Sequence, residues 1–266
     1  MFRNRRSFTR VEAGTDPSRL SPGMHGTLIL LVTTLTLLQS DASAQARHYP
    51  LESTAGLRLV RATAEPATLD GKKGLRVTMA KEPQEPMPQE PQGQRTTGEA
   101  LVIIEGLEFT NGVIEAEIAG APAPGAPETA RGFVGIAFRV QKDMRTFEQL
   151  YLRPTNGRAD DQERRNHAVQ YSSHPDWPFF RTRKETPSKY EAYVDLVPGV
   201  WTKVRIHVRD SRARLYVHDQ EQPTLIVNDL KLGGHAKGAV ALAPGVNAIT
   251  HFRNLRITPA PDGEAR

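Results

Sequence analysis

The short alternation of apolar and polar residues is the feature that most restricts how this chain of 266 residues can fold. From residue 56 onward, alternating segments follow one another between Gly, Pro, Asn and Asp, and none shows a sustained helical period. In the segment 201–209, Val204, Ile206 and Val208 point to one side while charged or polar residues point to the other. The pattern predicts an all-β fold made of two antiparallel sheets, each with one face in the core and one face exposed to solvent.

Thirteen strands are expected from this pattern. They cover residues 56–62, 74–80, 99–106, 112–119, 132–140, 147–153, 167–172, 190–196, 201–209, 213–218, 224–227, 238–243 and 251–258. Two low-complexity segments interrupt the rhythm, a Pro-rich loop at 82–96 and an Ala/Pro/Gly excursion at 119–130. The segments 156–166 and 173–189 are long for hairpin connections, and long loops in a compact sandwich are often functional.

The first 46 residues have the pattern of an export signal. Five arginines precede an apolar run at 27–38, and small residues follow at 42–46. The apolar run of twelve residues is shorter than the roughly 20 that span a bilayer, so we expect cleavage and no stable membrane insertion afterwards. An alternative start at Met24 would remove all five arginines. We predict a leader at 1–46, a single sandwich domain at 47–266, and a periplasmic or extracellular location.

Composition excludes several classes of protein. The chain has no cysteine, so it carries neither a disulfide nor a lipidated cysteine after the leader. A net charge of +5 is a mild excess, and the basic residues are interspersed with acidic ones, so no nucleic-acid partner is expected. His167, His174 and Asp176 lack a recognised metal-ligand spacing. We therefore predict neither a metal nor a cofactor.

Side chains that suit a carbohydrate or an anion are concentrated between residues 139 and 177. Aromatic rings stack on sugar rings, while amides, imidazoles and guanidinium groups bind hydroxyl and acidic groups. The predicted ligand-binding residues are Arg139, Gln149, Tyr151, Arg153, Asn166, His167, Gln170, Tyr171, His174 and Trp177. A solvated sheet face is the alternative explanation of the same residues.

Strand alternation predicts which of these residues share a face. Gln149, Tyr151 and Arg153 point to one side of the segment 147–153, and Arg139 precedes them on the strand before. Unless a bulge changes the direction of the side chains, the preference of Val169 for the core sends His167 and Tyr171 inward and leaves Gln170 outside. We predict a floor of Arg139, Tyr151, Arg153 and Gln170 and a wall, loop 173–189, that carries His174 and Trp177.

Five segments carry a resemblance to a known family. They are residues 109–118 (FTNGVIEAEI), 132–139 (GFVGIAFR), 190–193 (YEAY), 201–208 (WTKVRIHV) and 213–218 (ARLYVH). Together they resemble the concanavalin A-like lectin/glucanase superfamily, nearest to its secreted bacterial laminin-G-like and 3-keto-disaccharide hydrolase-like (DUF1080) branches. The resemblance covers roughly residues 50–258 and implies a jelly-roll sandwich that binds a glycan across its concave sheet. Such strand signatures describe a fold better than an activity.

The resemblance carries no catalytic residue onto this sequence. The E-x-D-x-x-E strand of family 16 glucanases does not occur, since Glu115 and Glu117 have the wrong spacing. The leading interpretation is therefore an exported protein that binds an oligosaccharide or polysaccharide, acidic ones included. A glycan hydrolase or lyase is the first alternative, with His167 as base, Tyr171 as acid and Arg153 stabilising an enolate. A laminin-G-like module that binds protein is the second.

Overall fold

The alternating segments form β-strands that pair into two antiparallel sheets. The computed structural model describes residues 45–80 and 99–260, which belong to one compact unit. The predicted Pro-rich loop at 82–96 lies outside the described residues, and so does the predicted leader except for residues 45 and 46.

Within the described residues the strands are numbered along the chain. They are β1 Arg47–Tyr49, β2 Leu57–Val60, β3 Ala62–Leu69, β4 Lys72–Met79, β5 Leu101–Ile104, β6 Gly112–Pro122, β7 Val134–Val140, β8 Phe147–Leu152, β9 Val169–His174, β10 Glu191–Ala192, β11 Thr202–Arg209, β12 Arg212–Val217, β13 Leu225–Val227, β14 Ala239–Pro244 and β15 Ala248–Pro259. Two short helices lie between them, α1 Gln162–Asn166 before β9 and α2 Phe179–Glu185 after it. A 3₁₀ turn, Pro154–Asn156, follows β8.

The eight-stranded sheet has the order β13-β12-β11-β6-β15-β4-β3, with β1 added beside β15. The seven-stranded sheet has the order β10-β9-β8-β7-β14-β5-β2. Neighbouring strands are antiparallel throughout both sheets. Most neighbours in the two sheets are far apart in sequence, which is the arrangement of a jelly-roll sandwich. The predicted fold class is confirmed.

The core lies between the sheets and is built from alternate residues of facing strands. Ile114 and Ile206 of the eight-stranded sheet belong to the same buried cluster as Phe138 and Leu150 of the seven-stranded sheet. Each such side chain contributes about 1.5–3 kcal/mol by leaving water. A smaller buried cluster around Ile103 and other residues of β5, β7, β8 and β14 covers part of the outer face of the seven-stranded sheet. This face is therefore partly apolar, which matters for the site.

The structure differs from the expected strands in several places. The segment 56–62 is not one strand: β2 ends at Val60, Arg61 adopts a positive φ of 49°, and β3 begins at Ala62. β6 runs to Pro122, into the excursion expected to leave the sheet. The two long loops contain α1 and α2, which the sequence pattern did not indicate. Among the described residues, no helix is both long and apolar enough to span a membrane.

Candidate functional site: a groove with an aromatic and an arginine-lined part

The floor of the candidate site comes from β8 and β9. Their register places Tyr151 opposite Gln170, Gln149 opposite Ser172, and Phe147 opposite His174. The intervening residues, such as Leu150 and Tyr171, belong to the core between the sheets. Alternation therefore sends the first set to the outer face of the seven-stranded sheet, away from the other sheet.

Hydrogen bonds fix the middle of this floor. The Tyr151 hydroxyl donates to Gln170 Oε1 at 3.1 Å, and Arg153 Nη2 donates both to the Tyr151 oxygen at 3.2 Å and to Gln170 Oε1. The adjacent strand β10 places Glu191 directly beside Gln170. Glu191 accepts from Arg153 Nη1 at 2.9 Å and from Arg183 of α2 at 3.1 Å and closer. A buried carboxylate thus holds two guanidinium groups at the edge of the sheet.

An apolar and aromatic cavity of about 420 Å³ lies above one half of the floor. We call it the aromatic cavity. The start of α2 supplies Phe179 and Phe180, and the loop after β14 supplies Val246. Its polar lining groups are few: Glu99, Gln149, Ser172 and His174 beside the Tyr151 ring. Large apolar walls with a few convergent polar groups are typical of small-molecule sites.

A second cavity, of about 370 Å³, lies next to the first and shares Phe133 and Phe179 with it. We call it the arginine cavity, and the two cavities together the groove. The arginine cavity is lined by Arg131, Arg153, Arg164 and Arg183, with Asn156, His167, Asp161 and Glu163. The Arg153 guanidinium carbon lies 5.6 Å from the centre of the Phe133 ring and 5.5 Å from that of Phe179, at the junction of the two cavities.

The charges of the arginine cavity are unevenly compensated. Arg153 and Arg183 share Glu191, whereas Arg164 binds the neutral Asn156 Oδ1 at 3.0 Å and the Thr155 oxygens. Within the described part of the chain, neither Arg131 nor Arg164 forms an ion pair. Burial, together with the nearby cations, lowers the pKa of Arg131. Four guanidinium groups thus line this cavity together with the carboxylates of Asp161 and Glu163.

His167 lies at the wall of the arginine cavity, at the end of α1 rather than on a strand. Its Nδ1 is 2.9 Å from Glu191 Oε2, but neither ring nitrogen has an aligned hydrogen-bond partner. Burial lowers the pKa of His167 below its usual range despite the neighbouring carboxylate. The predicted inward direction of His167 is wrong, because α1 ends there and the strand begins only at Val169.

Burial shifts the pKa of three ionisable side chains of the aromatic cavity, Glu99, Tyr151 and His174, and it raises that of Tyr151. Burial raises the pKa of Glu99 to about 7, against the opposing charge of Arg61. Burial lowers the pKa of His174 to about 4. His174 Nε2 is 3.2 Å from Ser172 Oγ, and its Nδ1 is 3.8 Å from Glu99 Oε1. At neutral pH this imidazole is uncharged and can accept a proton.

Arg139 is not part of the groove, and its predicted place on the floor is wrong. It adopts a positive φ of 54°, close to the register shift between β7 and β14, so the alternation of β7 breaks there. Its guanidinium is completely buried and donates to the carbonyl oxygens of Thr110, Gly233 and Asp210. Arg139 joins loops at the end of the sandwich.

Tyr171 points between the sheets, as strand alternation predicts, and therefore lies outside the groove. Its hydroxyl donates to Glu148 Oε2 at 2.6 Å and accepts from the Lys231 backbone N–H at 2.9 Å. Burial and the carboxylate of Glu148 raise its pKa strongly. The proposed acid and base pair of Tyr171 and His167 is not assembled, because the sheet separates them.

Trp177 and Asn166 lie outside both cavities. The Trp177 ring is covered by Arg181, whose guanidinium carbon is 3.9 Å from the ring centre, and by Lys231 Nζ at 4.4 Å. It is therefore not a free stacking platform. Asn166 is exposed at the end of α1 and accepts from Gln162. The wall predicted for the segment 173–189 exists, but Phe179 forms it instead of Trp177.

Several side chains outside the predicted set belong to the site. Glu99, Arg131, Phe133 and Phe179 line the groove, and Glu191 binds Arg153 beside it. Phe133 had a usable signal, because Gly135 and Ala137 follow it at alternate positions of the expected strand 132–140 and small residues leave room above a sheet. Phe179 and Glu191 had no such sequence signal, because helix α2 and the short strand β10 bring them to the site. Glu99 is likewise brought to His174 only by the fold.

No family model and no curated protein sequence matches the chain. Among solved structures, it is similar to a protein of unknown function with a galectin-like fold from Bacillus subtilis, with 12% identity over 80% of this chain and 95% of that one, and a TM-score of 0.50. A carbohydrate-binding module from Bacillus subtilis has 13% identity, covering 76% and 95% of the two chains, with a TM-score of 0.49. Domain 4 of an extracellular arabinanase from Geobacillus stearothermophilus, solved with arabinotriose, has 15% identity, coverages of 74% and 76%, and a TM-score of 0.38.

The likeness to the galectin-like structure concerns the fold. The chain is a two-sheet antiparallel β-sandwich, as that structure is, and its place in the concanavalin A-like superfamily stays a prediction. The narrower assignment to the laminin-G-like or 3-keto-disaccharide hydrolase-like branch stays a prediction. Folds of this kind carry many functions, so the function has to be argued from the groove.

Proposed function

We propose that this protein binds an anionic carbohydrate in the groove on the outer face of the seven-stranded sheet. The observation that carries the proposal is the contact of two unlike cavities at Phe133 and Phe179, one with aromatic walls and one with four arginines. An oligosaccharide that carries a carboxylate or sulfate group complements both cavities, because it combines apolar ring faces with a negative charge.

The aromatic cavity suits a sugar ring. Faces of pyranose rings are apolar C–H surfaces, and they pack on aromatic side chains such as Phe133 and Phe179, while their hydroxyl groups need donors and acceptors at the rim. Gln149 and Ser172 supply these on the floor. Each cavity lies within the size range of small-ligand pockets, so the groove has room for about two sugar units.

The arginine cavity suits the acidic group. Arg131 and Arg164 have no ion-pair partner among the described residues, and their planar guanidinium groups can bind a carboxylate or sulfate with two parallel hydrogen bonds. Arg153 and Arg183 are held in place by Glu191, so the four arginines outnumber Glu191 and the lining carboxylates of Asp161 and Glu163. An exported location is part of this proposal, and the pattern of the leader supports it.

Calorimetric titration with uronate-containing and neutral oligosaccharides of equal length tests the proposal. We expect the acidic ligands to bind more tightly, and Arg164→Gln to weaken them roughly tenfold or more, since a hydrogen bond to a charged group contributes about 1.5–3 kcal/mol. Arg158→Gln is the matched control, because Arg158 pairs with Asp195 on the surface away from both cavities. Equal affinity for neutral and acidic ligands, or no effect of Arg164→Gln, would show that the acidic group binds elsewhere.

A further inference from the structure

Three side chains of the aromatic cavity are arranged in a row. Ser172 Oγ lies 3.2 Å from His174 Nε2, and His174 Nδ1 lies 3.8 Å from Glu99 Oε1. All three line the same cavity. We propose that Ser172, His174 and Glu99 are a nucleophile, a general base and an orienting carboxylate that hydrolyse carboxylic esters. A hydroxyl, an imidazole and a carboxylate in this order are the groups that activate serine for acyl transfer.

The imidazole of His174 is held in position and in the right protonation state. Its ring stacks on Phe147 with ring centres 4.6 Å apart and an interplanar angle of 18°. Ser172 and His174 are two residues apart on β9, so both point to the outer face of the sheet. Burial lowers the pKa of His174 to about 4, so the ring is neutral at physiological pH. Because a ring with this pKa is a weak base, transfer of the Ser172 proton to Nε2 requires a negative charge that stabilises the imidazolium.

Glu99 faces the other ring nitrogen. Its 3.8 Å separation from Nδ1 is an ion-pair distance rather than a hydrogen bond, so the carboxylate acts on the ring mainly through its charge. An ionised Glu99 stabilises the imidazolium that forms when His174 takes up the proton. Arg61, whose Nη2 donates to the Glu99 carbonyl oxygen at 2.6 Å, is the other charged group beside it.

A donor for the developing oxyanion lies across the strands. Gln149 is the direct neighbour of Ser172 in the register of β8 and β9, and both side chains line the cavity. In the described part of the structure the Gln149 side chain has no hydrogen bond to protein. Side-chain amides are known oxyanion donors, and in this proposal the Gln149 amide takes that part.

The reaction is a hydrolysis in two steps. Ser172 Oγ attacks the ester carbonyl carbon while its proton moves to His174 Nε2, and the tetrahedral intermediate expels the alcohol, which receives that proton. Water then attacks the acyl-serine, gives its proton to His174, and releases the carboxylic acid as serine regains its hydrogen. No oxidant, metal or further reactant is needed.

The cavity indicates the kind of ester. Phe179, Phe180 and Val246 surround the polar row with apolar surface, which favours a short aliphatic or an aromatic acyl group. The proposed hydrolysis requires only an ester bond in the substrate. This inference therefore goes beyond glycan binding.

p-Nitrophenyl acetate and p-nitrophenyl butyrate are the probes for the activity. We expect turnover with an initial burst, loss of the activity to the buffer rate in Ser172→Ala, and a decrease of about 10²–10⁴-fold in His174→Gln. Ser53→Ala and His235→Gln, both at exposed positions, should retain the wild-type rate. Wild-type hydrolysis no faster than buffer, or an unchanged rate in Ser172→Ala, would overturn the proposal.

Two further measurements test the row, and the first of them uses only the wild-type protein and so does not depend on folding of a variant. A fluorophosphonate should label the protein once, and peptide mass spectrometry should locate the label on Ser172; a label on another serine overturns the assignment. The rate should rise with pH with a midpoint near 7 as Glu99 ionises, and Glu99→Gln should abolish this rise. A rise that persists in Glu99→Gln excludes Glu99 from the row.

The failure of this proposal is distinguishable from failure of the glycan proposal. Arg164→Gln is expected to weaken acidic oligosaccharides without changing p-nitrophenyl ester hydrolysis, because Arg164 lines only the arginine cavity. Conversely, a protein that binds the oligosaccharides but leaves both esters intact supports glycan binding and overturns the triad.

Discussion

Glu191 is the residue that joins the floor of the groove to helix α2. Its side chain is only 3% exposed, and its two oxygens receive Arg153 from β8 and Arg183 from α2, with His167 Nδ1 at 2.9 Å. Burial alone would raise the pKa of Glu191, but hydrogen bonds from Arg183 and Arg153 hold it below the usual range. The position of two cavity arginines therefore depends on one negative charge.

Replacing this charge should destabilise the protein. For Glu191→Gln we expect the free energy of unfolding at pH 7 to fall by about 3 kcal/mol, since the variant leaves the buried Arg153 without a counter-charge. Urea unfolding followed by fluorescence gives the value. Glu65→Gln is the control, because Glu65 pairs with Arg76 where both side chains are about half exposed, and such pairs contribute about 1 kcal/mol or less.

The pH dependence gives an independent check of Glu191. A depressed pKa means that the unfolded chain binds the proton more readily than the folded protein does. The stabilisation is therefore complete above the ordinary carboxyl value of 4.5 and is lost as the pH falls through the lower folded value. Wild type should lose more stability between pH 7 and pH 3 than Glu191→Gln does. Equal losses in both proteins would mean that Glu191 carries no coupled charge.

At the scale of elements, the groove depends on the close approach of β7 and β8 beneath Tyr151. Gly135 is the cross-strand neighbour of Tyr151, and a Cβ atom at this position would lie 2.5 Å from the Tyr151 Cβ and 2.6 Å from the Leu150 carbonyl oxygen. Only glycine fits there without displacing β8.

We expect Gly135→Ala to cost about 1–3 kcal/mol, the range for overpacking, and to weaken oligosaccharide binding by displacing Tyr151. Chemical denaturation and calorimetry on the same samples measure the two effects. Gly234→Ala is the matched control, because its nearest neighbours to an added Cβ are 3.3 Å away in Asp210. A Gly135→Ala variant as stable as the control would show that β8 can move at little cost.

The elements also show how far the sequence could predict the site. Period-2 alternation correctly separated Tyr151, Arg153 and Gln170 from Tyr171, because both strands are regular there. It failed at Arg139, where a single positive φ reverses the face, and a local reversal of this kind leaves no periodic trace. It also missed α2, which begins after Pro178 and has only seven residues. Two helical turns are too short for a helical hydrophobic period to be recognised in the sequence.

At the scale of the whole molecule, β15 is the strand that completes the eight-stranded sheet. It pairs with β6 on one side and with β4 and β1 on the other, although β6 precedes it by more than a hundred residues. Without β15, both β6 and β4 would expose unpaired edges and part of the core would be uncovered. The eight-stranded sheet is therefore completed by pairing between strands that are distant in the sequence.

We expect a chain that ends at residue 245 to remain unfolded, whereas a chain that begins at residue 50 and lacks only the short edge strand β1 should fold. Far-ultraviolet circular dichroism and amide proton dispersion distinguish the two states. A folded, cooperative truncation at 245 would show that the two sheets are stable independently of β15.

Refolding of the intact domain should be slow, on a scale of milliseconds to seconds, because most strand pairs are non-local.

The central position of β15 has a consequence for the order of events in the cell. Residues before 248 cannot complete the eight-stranded sheet while they are being made, so the edges of β6 and β4 stay open to binding partners such as chaperones until β15 is added. If the leader directs export as its sequence predicts, this delay keeps the chain from completing its fold before it passes through a narrow protein-conducting pore. The groove would then come into existence only on the far side of the membrane, once β15 has passed through.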